Sequence, residues 1–252
     1  MQPFIIAHRG DSARRPENTP AAFALALAAG AELVELDVRL SRDGHVVVIH
    51  DPTVDRTTDG TGEVATLTLA EIRGLSAGVV FDERYRDERV PTLEEALALL
   101  KGRARVLIEI KTDASVQDGS VLVDATAGIV EVANLTDGVA FISFDPAALE
   151  HCRQRLAAVP RGLLVYRAVA EEAIRLAAEL DCELVLPEKS LADASWVEAA
   201  GSRGLQVATW VVDTIEDYEV ACRLGLAGVG TNRPSLLIDH QRERRQAGQI
   251  KG

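Results

Sequence analysis

Aromatic residues make up only 4% of this 252-residue sequence, and it contains three cysteines, five histidines and one methionine. With so few rings, a core must be built mostly from Ala, Leu and Val. Cys152, Cys182 and Cys222 are odd in number and widely separated, which excludes a disulfide framework and a zinc-type ligand spacing. Buried free thiols in a reducing compartment are the expectation. No run approaches the 18 apolar residues of a membrane-spanning helix. The opening Met1-Gln-Pro-Phe-Ile-Ile-Ala-His8 lacks the charged start and long apolar centre of a secretory signal. A cytoplasmic location is therefore expected. Basic residues are also in deficit: Lys plus Arg is 27 against 39 for Asp plus Glu, a net charge of −12. That balance argues against a nucleic-acid partner, which needs a basic surface, and leaves room for a local basic site that takes one small phosphate.

What the sequence does contain is an ordinary globular composition, 47% hydrophobic and 26% charged, in a length that suits one large domain or two small ones. Phe4–Ala7 reads as a short strand that ends in His8-Arg9-Gly10. Thr19-Pro20 fits a cap and first position of a helix running to Ala29, with Gly30 as its stop. A strand over residues 31–40 follows, then the turn Ser41-Arg-Asp-Gly44 and a β-branched return over Val46–Ile49 that ends at His50-Asp51. Residues 52–90 break this rhythm with turn formers, and they read as an inserted excursion of loops and short helices beside a site. Pro91-Thr92 opens the next helix, with Glu95 placed for a capping box.

From there strands and helices alternate. Strands are expected at 105–110, 139–143, 162–165, 183–186, 205–211 and 228–230. Helices are expected near 117–133, 146–157, 169–180, 191–200 and 214–224, with a last one from about 234. With the first two strands this makes eight βα units, which imply a mainly parallel sheet. Eight units in this length match a single (β/α)8 TIM barrel of the α/β class with a small insertion after the second strand. An open doubly wound sheet is the alternative, but no Gly-x-Gly-x-x-Gly follows the first strand.

Chemistry collects at the C-terminal strand ends, where barrels carry function. Glu35 and Asp37 share one face of the second strand, since side chains alternate. Two adjacent carboxylates repel unless a cation or a shared proton lies between them. Glu109, on the neighbouring strand, adds a third carboxylate, and three oxygen donors suit a hard divalent metal. An ion-pair network with Lys111 and Arg9 would also satisfy them. His8 and His50 end strands beside this cluster and are suited to proton transfer near neutral pH. Either could equally be a hydrogen-bonded structural histidine.

The ordered set His8-Arg9-Gly10, Pro16-Glu17-Asn18-Thr19, Glu35-Leu36-Asp37, His50-Asp51, Glu109-Ile110-Lys111, Ser143-Phe144 and Thr231-Asn232-Arg233-Pro234 resembles the signature of the glycerophosphodiester phosphodiesterases, in particular the cytoplasmic bacterial members. The likeness runs from residue 8 to about 234. It implies one divalent cation, Mg²⁺ or Ca²⁺, on Glu35, Asp37 and Glu109, and catalysis by His8 and His50. It also implies attack on phosphorus by the neighbouring glycerol hydroxyl, with water then opening a cyclic phosphate. Arg9 and Lys111 are placed to neutralise phosphoryl charge. Asn18 is expected to hydrogen-bond the bound phosphate or to brace its loop. Glu17 is positioned to orient Arg9, although Pro16 to Thr19 would equally serve as a plain cap of the first helix, and Asp51 would either fix the His50 tautomer or cap the turn that follows. Phe144 and Trp210 are expected to wall the pocket beside the glycerol, although plain core packing would also account for them. The late motif departs from the family pattern, which has Asp where this chain has Asn232. A lysophospholipase D-type hydrolase and a non-catalytic phosphate-ester binder are the rival functions. The outer helices of such a barrel would also permit a homodimer.

Overall fold

A computed structural model describes residues 2–112 and 119–250. Among the described residues nine strands form one sheet: β1 (Phe4–His8), β2 (Leu33–Leu40), β3 (Val46–Val48), β4 (Arg105–Ile110), β5 (Val139–Ser143), β6 (Arg161–Val165), β7 (Leu184–Pro187), β8 (Gln206–Trp210) and β9 (Gly228–Thr231). Eight of them pair in parallel in the order β1-β9-β8-β7-β6-β5-β4-β2, and the β1–β2 pairing closes the ring. The result is a TIM barrel, with β3 added antiparallel on β2 through the Val38–Val48 pair. The helices are α1 (Pro20–Ala29), α2 (Leu69–Gly74), α3 (Leu93–Leu100), α4 (Gly119–Val132), α5 (Pro146–Arg155), α6 (Ala170–Glu179), α7 (Ala194–Gly201), α8 (Ile215–Leu224) and α9 (Pro234–Ile250).

The predicted helix limits follow their caps. Thr19 accepts from the Ala22 N–H and Pro20 opens α1, while Gly30 closes it in the left-handed conformation at φ 92°. Thr92 and Glu95 form the expected capping box of α3. The helix expected from 191 starts instead at Ala194, because the Asp193 carboxylate accepts from the N–H groups of Ser195 and Trp196 and sets the boundary there. The first two residues of the helix expected at 117–133 lie outside the described residues.

Alternation along the strands builds two cores and one site. On β2, Val34, Leu36 and Val38 point outward into the main core between barrel and helices. On β4, Val106, Ile108 and Ile110 do the same. The opposite set of each strand faces the barrel interior. There Ile6, Leu107, Ile142, Leu164, Leu186 and Ala208 make a smaller apolar cluster. Above them, toward the C-terminal strand ends, the inward positions become polar. The excursion after β3 carries single 3₁₀ turns at Val64–Thr66 and Glu83–Tyr85 besides α2. It packs its own small core of Val54, Val64, Ile72, Ala77 and Val90 on Val47 and Ile49.

Of the cysteines, Cys152 and Cys182 are buried and all three are free, but Cys222 is only half-buried. Burial pushes the Cys152 thiol up to about 12 and the Cys182 thiol to about 11, so both are inert.

Candidate active site

The barrel mouth opens on a cavity of about 350 Å³ whose polar lining is His8, Arg9, Glu35, His50, Glu109 and Lys111. Ile142, Phe144, Leu164, Tyr166, Leu186 and Trp210 belong to its apolar and aromatic lining. Of the residues given a role from the sequence, His8, Arg9, Glu35, His50, Glu109, Lys111, Phe144 and Trp210 therefore line one cavity. Asp37 and Asn18 sit immediately behind it.

The turn after β1 is shaped for this purpose. Arg9 takes a positive φ of 57° and Gly10 one of 83°, and a Cβ on Gly10 would stand 2.6 Å from the Ala22 carbonyl carbon. This tight turn lets the Arg9 N–H donate to Glu35 Oε2 at 2.9 Å. The Arg9 guanidinium then reaches Glu17 at 2.9 Å and Asp37 at 3.1 Å. Glu17 orients Arg9 as expected.

Glu35, Asp37 and Glu109 are all buried, and a ligand oxygen of each lies within 4.8 Å of the other two. Lys111 Nζ stands 2.5 Å from Glu109 and 3.0 Å from Asp37. The ion-pair network is present at Asp37 and Glu109, and the same three residues bring carboxylate oxygens close enough together to hold a cation. The charges do not balance: three carboxylates face the two cations Arg9 and Lys111. Burial, then the Asp37 and Glu109 charges, raise the Glu35 carboxyl well above its usual range. Burial and the Asp37 charge push Glu109 up to about 7. Burial also works to raise Asp37, yet Lys111 and Arg9 hold it low. The donor set fits a hard divalent cation. Its donors are all carboxylate oxygens, and Glu35 Oε1 is buried with no hydrogen-bond partner, an acceptor left open toward a cation.

Asn18 bonds to the acidic cluster. Its side chain is 3% exposed and donates from Nδ2 to Asp37 Oδ2 at 2.8 Å, so it fixes a carboxylate and does not line the cavity.

His50 Nδ1 lies 2.6 Å from Asp51 Oδ1, the pairing expected from the sequence. Sequence reasoning missed the next link. Arg56, in the excursion, donates to both Asp51 and Glu17 at 2.6–3.0 Å. It ties the His50 support to the Arg9 support. Its only sequence signal was an arginine five residues after Asp51. Burial, helped by the Lys111 and Arg9 charges, lowers His50, while the Asp37 charge and the hydrogen bond to Asp51 oppose that fall. Burial, helped by the Arg9 charge, lowers His8 to about 4. The late-motif residue Asn232, read from the sequence only as a departure from the pattern, accepts from His8 Nδ1 at 2.7 Å.

Phe144 and Trp210 meet edge to face with ring centroids 5.6 Å apart. The Trp210 indole donates to the Leu186 carbonyl at 2.9 Å, which turns its ring into the cavity wall. Tyr166, 56% exposed, stands beside them.

A closed ring of eight parallel strands with an acidic triad and two histidines at its C-terminal mouth is a TIM barrel whose polar residues lie where such barrels carry function. The sequence model of the glycerophosphoryl diester phosphodiesterase family matches residues 8–236, and the chain belongs to that family of hydrolases. A glycerophosphodiester phosphodiesterase of Caldanaerobacter subterraneus is 37% identical over 95% of this chain and 98% of its own length. Among solved structures, a phosphodiesterase of Oleispira antarctica, in complex with the product sn-glycerol-3-phosphate, superposes with a TM-score of 0.85. It is 30% identical, over 93% of this chain and 94% of that one. A glycerophosphodiester phosphodiesterase of Agrobacterium tumefaciens gives a TM-score of 0.82 at 30% identity, over 95% of this chain and all of that one.

Proposed function

We propose that this chain hydrolyses glycerophosphodiesters to sn-glycerol 3-phosphate and an alcohol, with Glu35, Asp37 and Glu109 holding one Mg²⁺ or Ca²⁺. The observation that carries the reading is the convergence of two histidines, two cations and the carboxylates of Glu35 and Glu109 on one cavity, with Asp37 completing the acidic cluster behind it. When bound, the cation would neutralise phosphoryl charge. Arg9 and Lys111 hold the phosphate from the same side, the first with a planar fork and the second with a point charge. His8 takes the proton of the glycerol hydroxyl that attacks phosphorus. His50 gives a proton to the departing alkoxide, and water opens the cyclic phosphate with the roles reversed. This division rests on the partners of the two rings. A carboxylate 2.6 Å from His50 Nδ1 favours its charged form, whereas His8 faces the neutral amide of Asn232. Phe144 and Trp210 wall the organic part of the substrate.

The whole chain acts as one catalytic unit in this reading, with the excursion at 52–90 supplying Arg56 behind the site. A net charge of −12 supports the absence of a nucleic-acid partner. No helix of the described residues is long and apolar enough to cross a membrane. A cytoplasmic setting and a homodimer complete the proposal. Fractionation and sedimentation would check them.

Glycerophosphocholine turnover with and without EDTA, in wild type and in His8→Ala and His50→Ala, tests the mechanism. Turnover is expected to vanish in all three treatments while both variants still bind cation. Near-wild-type hydrolysis by either variant would sink the assignment. A lysophospholipase D-type activity has one observation in its favour, the hydrocarbon wall of Ile142, Leu164 and Leu186. Faster turnover of lysophosphatidylcholine than of glycerophosphocholine would select it.

A further inference from the structure

Asn232, in the loop after β9, is hydrogen-bonded to a proposed catalytic group. We propose that Asp213 and Asn232 form a positioning relay that fixes the His8 ring with its proton on Nδ1 and its lone pair on Nε2. The inference rests on the reading of His8 as a proton acceptor.

The amide of Asn232 is held at both ends. Its Nδ2 donates to Asp213 Oδ2 at 2.8 Å, and its backbone N–H donates to Asp213 Oδ1 at 2.7 Å. Thr231 Oγ1, fully buried, donates to the same Asp213 Oδ1 at 3.0 Å. A carboxylate accepts only, so the nitrogen end of the amide must face Asp213. Asn232 Oδ1 is then forced toward His8 Nδ1, 2.7 Å away. Ser12 Oγ packs against the junction, 3.0 Å from Asn232 Oδ1 and 2.8 Å from the His8 carbonyl oxygen. The main chain closes the clamp, since the Ala13 N–H donates to the Asn232 carbonyl at 2.9 Å.

An amide oxygen cannot donate, so a neutral His8 must carry its proton on Nδ1. Nε2 is left as the only nitrogen able to accept a proton from a group in the cavity that His8 lines. Asp213 never touches the ring. It acts by denying Asn232 the flipped orientation, in which an NH₂ would face Nδ1 and move the imidazole proton to Nε2. A neutral partner thus sets the same tautomer that a carboxylate would, and places no charge beside the ring.

Exchanging the two partners separates this role from a structural one. In Asp213→Asn, the new amide keeps its oxygen on Thr231 and the Asn232 N–H and turns its NH₂ toward Asn232, which favours the flip. In Asn232→Asp, two carboxylates face each other. In the double variant Asp213→Asn/Asn232→Asp, the bond from residue 213 to residue 232 reverses direction and residue 232 again accepts from His8. Each single variant is expected to lose about 10- to 100-fold in kcat with KM changed by less than about twofold. The double variant should regain most of that loss. Proton-detected ¹⁵N spectra of His8 should show Nδ1–H in wild type and Nε2–H in Asp213→Asn. The relay is overturned if the double variant is no faster than the singles, or if Asp213→Asn keeps the wild-type tautomer. Melting and cation titrations on the same proteins exclude misfolding, and the rescue remains decisive if one single variant folds poorly. Should His8→Ala itself turn over normally, the reading of His8 fails; should it be inactive while both single variants match wild type, only the relay fails.

Discussion

Lys111 places its ammonium 2.5 Å from Glu109 Oε1, so one of the three carboxylates proposed as cation ligands already carries a cation of the protein's own. The same nitrogen is 3.0 Å from Asp37. A metal and this lysine therefore compete for the field of one acidic cluster.

Replacing Lys111 by Met removes that competitor. Lys111→Met is expected to bind Mg²⁺ or Ca²⁺ at least about tenfold more tightly, because a unit positive charge a few ångströms away is gone. KM for glycerophosphodiesters should rise at the same time, since the phosphate loses a partner. Calorimetric titration reads the first effect and steady-state kinetics the second. Weaker cation binding in the variant would contradict this picture of the site.

Protonation gives a second handle on the cluster. Glu109 is pushed up to about 7 and Glu35 is raised well above its usual range. An acid whose folded pKa is raised binds more protons folded than unfolded, so its ionisation destabilises the fold as pH climbs from the ordinary carboxylate range, about 4.3, toward 7. In EDTA the melting temperature should fall between pH 5 and 8. Saturating cation should flatten that slope, because the ligands bind metal deprotonated. Cation affinity should climb with pH through about 7. An affinity constant between pH 6 and 8 would show that no proton is displaced.

Leaving-group chemistry separates the two histidines. If His50 protonates the departing alkoxide, His50→Ala should be severely impaired on glycerophosphocholine, by about 10²-fold or more, yet recover much of its rate on the 4-nitrophenyl ester of glycerol phosphate, whose leaving group needs no acid. His8→Ala should remain slow on both. Equal recovery by the two variants would reverse or dissolve the assignment.

Gly10 tests the turn that aims Arg9. Its φ of 83° and the 2.6 Å approach to Ala22 leave no room for a side chain. Gly10→Ala should lose about 1–3 kcal/mol in urea unfolding from the left-handed conformation alone, with the clash adding to it. Cation affinity should drop too, because the Arg9 N–H bond to Glu35 Oε2 depends on this turn.

Much of this molecule was legible in its residue order. The βα rhythm, the capping signals at Thr19, Thr92 and Gly30, and the polar strand ends all rest on local periodicity, which a linear reading resolves. Asp51 and Glu17 were found because each sits close in sequence to the group it supports. Arg56 was not, because residues 52–90 lack periodicity and nothing linear says that the excursion folds back over Glu17. Asn232 passed as a departure from a pattern because its partner His8 lies 224 residues away. The two meet only because β9 pairs with β1 as the barrel closes.

The acidic pair on β2 shows where the division lies. Strand alternation alone determined that Glu35 and Asp37 share a face, since successive side chains of a strand point in opposite directions. Tertiary structure decided the register that sets Asp37 beside Glu109, and the burial that makes their charges costly. It also decided which cations and amides stand close enough to offset that cost. Distance and desolvation set the energies of charged groups, and neither is a property of a chain before it folds.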